Sequence, residues 1–162
     1  MEGHKIAHEK VLNLLLAGKA IITVKNSNTG NRFTFRVKRP KTGDVHNLND
    51  RRNALRFISV LTGSDNTSNY KYFGCIKILG GIDFDGTQSF EYNFSDKAKV
   101  KRECDSVKVF EWFMGKLVNH KPMGENIEFW HNGHCCRCGH LLTVPESIED
   151  GIGPECKKIN QR

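Results

Sequence analysis

The sequence predicts an α+β fold in which helices pack on an antiparallel β-sheet and a structural zinc module follows. Three observations carry this prediction. Short β-branched and aromatic runs recur between segments rich in turn-forming residues. One amphipathic helical pattern follows them at about residues 105–120. Beyond it stand a Cys-x-x-Cys pair and a later cysteine, which divide the chain into an α+β domain at residues 1–122 and a zinc-binding module at residues 123–162.

The N-terminal third predicts a helix and a β-hairpin. Residues 4–17 hold good helix formers and close at Ala17-Gly18, which predicts a short helix. Strands are predicted at Lys19–Lys25 and Arg32–Lys38, because a run of turn formers lies between them. Side chains alternate between the faces of a strand, so the second strand has one apolar and one basic face. The apolar face holds Phe33, Phe35 and Val37. The basic face holds Arg32, Thr34, Arg36 and Lys38.

Further strands and one helix complete the predicted domain. Strands are predicted at Leu55–Leu61 and Tyr70–Leu79, with a weaker β signal at Phe90–Phe94. The helix at about residues 105–120 has apolar residues at steps of three and four, and Pro122 follows its end. The sheet therefore has helices available to cover one face.

The positive charge is concentrated near the N-terminus. The net charge is +7, and residues 1–54 alone hold eleven lysines and arginines against four acidic residues. A concentrated positive field attracts polyanions, so we predict DNA or RNA as the partner. The predicted phosphate contacts come from one strand face and the loop after it: Arg32, Arg36, Lys38, Arg39, Lys41, Arg51 and Arg52.

Several other classes of protein are not predicted. No stretch approaches the roughly 20 apolar residues of a membrane span, and no signal-peptide pattern is present. We therefore expect a cytoplasmic protein without a membrane partner. No nucleophile–base pair, phosphate-binding glycine loop or paired-carboxylate motif stands out, so an enzyme is not favoured. The acidic residues within 80–85 are typical of a solvated turn.

Three cysteines are predicted to bind one Zn²⁺ ion. Cys135 and Cys138 have the spacing at which two thiolates reach one tetrahedral ion, and Gly139 lets the backbone turn around it. Cys156 is the third predicted ligand, because Pro154 is suited to the first position of a helix that would carry it. Cys136 is interpreted as a neighbour that points away.

The fourth ligand has several candidates. His131 lies four positions before Cys135, a spacing that a loop closes easily, and it is the preferred residue. His134, His140 and a water molecule are the alternatives. Four protein ligands would make the ion structural, whereas three ligands and a water would make hydrolysis possible.

The C-terminal segment resembles a zinc-binding segment of uncharacterised proteins from bacteriophages and other mobile elements, a domain of unknown function. The motif WHxGxCxxCGxxLTxPxSI, followed by GxGPxC, carries the resemblance from Trp130 to Cys156. It implies His131 as the fourth ligand and a phage or plasmid origin, with the host cytoplasm as the location. It implies no activity. Cys136 departs from the pattern, which has glycine or another non-ligand there.

A protein partner is the alternative to nucleic acid. In this second hypothesis the chain is a non-enzymatic factor that inhibits or redirects a host protein, such as a defence nuclease. Its basic face would then cover an acidic protein surface. A partner that survives nuclease treatment would distinguish this hypothesis from nucleic-acid binding.

Overall fold

The computed structural model describes residues 3–40, 54–63, 69–79 and 89–160. These residues form one seven-stranded sheet and four helices. The elements follow in chain order: β1 (His4–Ile6), α1 (His8–Leu15), β2 (Lys19–Asn26), β3 (Arg32–Lys38), β4 (Leu55–Leu61), β5 (Tyr70–Ile78), β6 (Phe90–Phe94), α2 (Asp105–Val118), β7 (Ile127–His131), α3 (Pro145–Asp150) and α4 (Pro154–Asn160). None of the helices in these ranges is long and apolar enough to cross a membrane.

The predicted antiparallel sheet with helices is present. Its strand order is β1-β7-β2-β3-β4-β5-β6, and every neighbouring pair is antiparallel. The predicted hairpin is β2–β3, and the later strand predictions correspond to β4, β5 and β6. Between β2 and β3 the Asn26 side chain accepts hydrogen bonds from the backbone N–H groups of Asn28 and Thr29. These side chain–backbone hydrogen bonds stabilise the turn after Asn26, which lets β3 return beside β2.

Two short strands differ from the sequence prediction. β1 occupies the beginning of the predicted first helix, so α1 begins only at His8. β7 was not predicted at all, and it pairs with β1 on one side and β2 on the other. These strands come from opposite ends of the chain, so no local periodicity reveals their pairing. The predicted module at residues 123–162 therefore contributes a strand to the sheet, and its separation from residues 1–122 stays a prediction.

Helices α1 and α2 cover the same face of the sheet. The rings of His8 in α1 and Phe113 in α2 both contact Phe129 of β7, at centroid distances of 5.5 Å. Nearer the beginning of α2, the ring of Phe110 packs between those of Phe35 and Phe73, at centroid distances of 5.1 and 5.5 Å. Side chains alternate between the two faces of a strand, so the strand residues next to these core residues point away from the core. We call the side to which they point the outer face. On β2 and β3 the outer face consists of Lys19, Ile21, Thr23, Lys25, Arg32, Thr34, Arg36 and Lys38.

Candidate metal centre

Three of the predicted metal ligands lie together. The sulfur atoms of Cys135, Cys138 and Cys156 are all within 4.8 Å of one another. Zinc–sulfur bonds of about 2.3 Å in a tetrahedron separate two sulfurs by about 3.8 Å, so the cluster has nearly this size. In the described part of the chain, no other cysteine, histidine or carboxylate joins the cluster. Three close cysteines that can hold a metal ion are therefore present.

The chain builds the cluster with a tight loop and a helix. The backbone N–H of Gly139 donates to the carbonyl of Cys135 at 2.9 Å, which closes the turn around the first two sulfurs. Gly139 has φ of 84°, a left-handed conformation that glycine adopts without steric penalty. Cys156 lies in the first turn of α4, as predicted from Pro154. The N–H of Gly153, just before α4, lies 3.4 Å from the Cys135 sulfur and joins the two parts.

The backbone around Cys135 favours a thiolate. Burial raises the pKa of this thiol, but hydrogen bonds from the N–H groups of Gly153, Cys138 and Arg137 outweigh burial, and the pKa is lowered overall. Cys156 shows the opposite result, because burial and the neighbouring Cys138 and Cys135 sulfurs raise its pKa to about 12. Three adjacent thiolates repel one another unless a cation compensates their charge. The donor set therefore fits a thiophilic ion such as Zn²⁺.

His131, the preferred fourth ligand in the sequence analysis, is not brought to the three sulfurs. Its Nδ1 accepts a hydrogen bond from the Gly133 N–H at 3.0 Å, and its Nε2 donates to the Ile148 carbonyl at 2.6 Å. Both ring nitrogens are thus occupied by backbone groups, and the side chain is buried. Burial lowers the pKa of His131, which favours this neutral ring. In this arrangement His131 ties the end of β7 to α3.

The alternative ligands are also outside the cluster. His134 donates from Nδ1 to the Gly139 carbonyl at 3.0 Å and is exposed. His140 is exposed as well, and its backbone carbonyl accepts from the Cys135 N–H. Cys136 is buried in the core, and burial raises its pKa to about 12. A fourth ligand from any of these residues would require a change in the contacts described.

The substitution His131→Gln tests the fourth ligand. We expect the variant to lose about 1–3 kcal/mol of stability, because a buried N–H or carbonyl loses its partner. The visible absorption spectrum of the Co²⁺-substituted protein is expected to stay unchanged, since no ligand is removed. The control is His134→Gln, at an exposed position. A changed Co²⁺ spectrum in His131→Gln alone would identify His131 as the fourth ligand.

The predicted basic residues of β3 lie on the outer face. Arg32 and Lys38 are exposed and Arg36 is partly exposed. Arg39 follows β3, and its backbone N–H donates to the Gly18 carbonyl at 2.8 Å. The other three predicted contacts, Lys41, Arg51 and Arg52, lie outside the described residues.

Two basic residues of β2 were missed by the sequence analysis. Lys19 pairs with Lys38, and Lys25 pairs with Arg32, so the hairpin has like charges opposite each other at both ends. The alternation along β2 could have identified them, because residues 19 and 25 have the same parity. The outer face of the hairpin is therefore more basic than β3 alone.

The cysteine loop lies against the beginning of β2. The N–H of Lys19 donates to the Cys136 carbonyl at 2.7 Å, and a Cβ on Gly139 would lie 3.4 Å from Cδ of Lys19. Gly18 has φ of 135°, and a Cβ there would lie 3.3 Å from the Arg137 carbonyl. The candidate metal centre is thus attached to the basic end of the outer face.

Comparison with known proteins gives one partial match. Residues 129–160 match DUF6011, described as a family of unknown function. The matched segment contains the last part of β7, the three clustered cysteines, α3 and α4. No curated protein matches the chain, and no solved structure matches it.

Proposed function

We propose that the protein binds nucleic acid on the basic outer face of its sheet, and that Cys135, Cys138 and Cys156 hold a structural Zn²⁺ ion beside that face. The proposal includes the phage or plasmid origin implied by the C-terminal motif, and with it the host cytoplasm as the place of action. The metal stabilises the C-terminal segment and takes no part in chemistry.

The cross-strand register of the hairpin carries the nucleic-acid proposal. Like charges directly opposite each other destabilise an antiparallel pair, and here Lys19 faces Lys38 while Lys25 faces Arg32. A polyanion bound across the hairpin would neutralise these opposed charges.

The surroundings of the hairpin support the same proposal. Glu128 of β7 is the acidic residue paired with Lys25, and it already forms a salt bridge with Lys5 at 3.5 Å. Its negative charge is therefore partly compensated. From Arg32 to Lys38 a strand extends about 20 Å, which is long enough for several phosphate contacts. Lys19 brings this positive charge next to the cysteine loop, because its backbone N–H donates to the Cys136 carbonyl.

Zinc is proposed because all three clustered ligands are thiolates. Soft sulfur ligands select Zn²⁺ over Mg²⁺ or Ca²⁺, which prefer oxygen. The N–H donors around Cys135 stabilise the ionised sulfur in the way that a structural site requires. A fourth ligand completes the tetrahedron, and its identity is tested by the His131→Gln experiment.

The salt dependence of binding tests the nucleic-acid proposal. Fluorescence anisotropy with labelled oligonucleotides, at 50 and 200 mM salt, is expected to show affinity that falls steeply with salt. The triple variant Lys25→Gln, Arg32→Gln, Lys38→Gln is expected to reduce the slope of log K against log salt by about two to three, because three phosphate contacts are lost.

The matched control has the same charge change on the helical side of the protein. It carries Lys108→Gln, Lys116→Gln and Lys121→Gln, in or next to α2. We expect this variant to bind much like the wild type. Equal effects of the two triple variants would indicate a nonspecific charge effect. Absence of binding at low salt would contradict the proposal and favour an acidic protein surface as the partner.

A further inference from the structure

We infer that the outer face takes single-stranded nucleic acid in preference to a duplex, with bases stacked on its aromatic side chains. This inference rests on the proposed function and specifies the form of the ligand. It is carried by aromatic rings that lie on the same face as the basic residues, on both sides of the β2–β3 hairpin.

The first ring is Trp130 of β7. Its neighbours Phe129 and His131 are buried in the core, so Trp130 points to the outer face, where it is partly exposed. It pairs with Thr23 of β2 on one side and Lys5 of β1 on the other. A partly exposed indole between the Thr23 hydroxyl and the Lys5 ammonium offers a flat apolar surface on which a base can stack.

The second aromatic group lies on β5. Tyr72 is partly exposed and packs edge-on against Phe57, at a centroid distance of 5.8 Å. Tyr70 lies under the guanidinium of Arg36, at 4.4 Å from the ring centroid. Among the described residues the buried Nε of Arg36 has no hydrogen-bond partner, so the guanidinium is held here mainly by its contact with the Tyr70 ring.

The spacing of these groups fits an unpaired strand that crosses the sheet. Four strand intervals separate Trp130 from Tyr72, which is about 19 Å at about 4.8 Å per interval. Between them lie Arg36 and the hydroxyl pair of Thr23 and Thr34, whose oxygens are 2.7 Å apart. Bases can thus stack at both ends while phosphates lie over the basic hairpin.

A duplex cannot use this arrangement. Its bases are stacked inside the helix, so only its phosphates would reach the outer face and the aromatic rings would gain nothing. Stacking on exposed aromatic side chains is available only to unpaired bases, and it tolerates any sequence. Single-stranded DNA and RNA share this chemistry.

Intrinsic tryptophan fluorescence tests the inference directly. The chain has two tryptophans, and Trp112 lies on α2, on the helical side. The variant Trp112→Phe leaves Trp130 as the only tryptophan. Its emission is expected to be quenched by a single-stranded oligonucleotide, DNA or RNA, and much less by the duplex of the same sequence. The reciprocal variant Trp130→Phe, which keeps Trp112, is expected to show little quenching.

Affinity measurements complete the test. Anisotropy at one fixed salt concentration is expected to give at least about 10-fold tighter binding of the single strand than of the duplex, and Trp130→Leu is expected to remove about 10-fold of the single-strand affinity. Equal binding of both forms without Trp130 quenching would overturn this inference and leave the proposed function intact. Binding of neither form at low salt would overturn both.

Discussion

Replacing Cys138 with serine is expected to unfold the segment that follows β7. Structural zinc contributes on the order of 10 kcal/mol to the folding of small zinc-binding peptides, so the loss of one thiolate removes a large part of the local stability. α3 has six residues and α4 has seven. Helices this short are unstable without tertiary contacts. The Gly153 N–H and the Cys156 sulfur attach the beginning of α4 to the cysteine loop.

Hydrogen exchange measured by mass spectrometry checks this expectation. In Cys138→Ser, peptides from residues 132–160 are expected to exchange at rates close to those of an unfolded chain, while β3, β4 and β5 stay protected. The control is Cys104→Ser, because Cys104 lies outside the cluster at the N-cap of α2, where serine is favourable. Unchanged protection of residues 132–160 in Cys138→Ser would show that the segment folds without the sulfur cluster.

Replacing Phe110 with alanine is expected to destabilise the whole sheet by about 3–5 kcal/mol, because a fully buried aromatic side chain leaves a cavity. Phe110 is fully buried. Its ring lies 4.9–5.7 Å, between centroids, from four others, so it joins β3, β5 and β6 to α2. These are the rings of Phe35, Phe73, Tyr92 and Phe113. No other helix residue contacts as many rings in the described core.

Urea unfolding followed by circular dichroism measures this effect. The matched control is Val118→Ala at the end of the same helix, where the side chain is 47% exposed. Its free energy of unfolding is expected to change by less than about 0.5 kcal/mol. Similar losses in both variants would show that α2 does not form the centre of the core.

Local patterns in the sequence were sufficient for much of the fold. The hairpin was predictable because its two strands alternate and the turn formers between them are adjacent in sequence. The β1–β7 pair was not predictable, since β1 has three residues and its partner comes from the other end of the chain.

The candidate metal centre was predictable only in part. The spacing of Cys135 and Cys138, and the Pro154 turn before Cys156, identified three residues that the structure brings together. His131 has a suitable spacing too, but spacing does not reveal which backbone groups surround a side chain. The Gly133 N–H and the Ile148 carbonyl take its two ring nitrogens, and the second of these comes from a helix that only the folded chain brings near.

The outer face was also predictable from the sequence only in part. Alternation placed Arg32, Arg36 and Lys38 on one face of β3 correctly. The same alternation along β2 places Lys19 and Lys25 on this face, and the hairpin register sets them opposite Lys38 and Arg32. The position of Trp130 on this face depends on β7, a strand that the sequence did not indicate.

The zinc content of the purified wild-type protein tests the central claim most directly. Elemental analysis is expected to find close to one zinc per chain, and much less in Cys156→Ser prepared in the same way. Metal-free wild-type protein that is fully folded and unaffected by chelators would contradict the account.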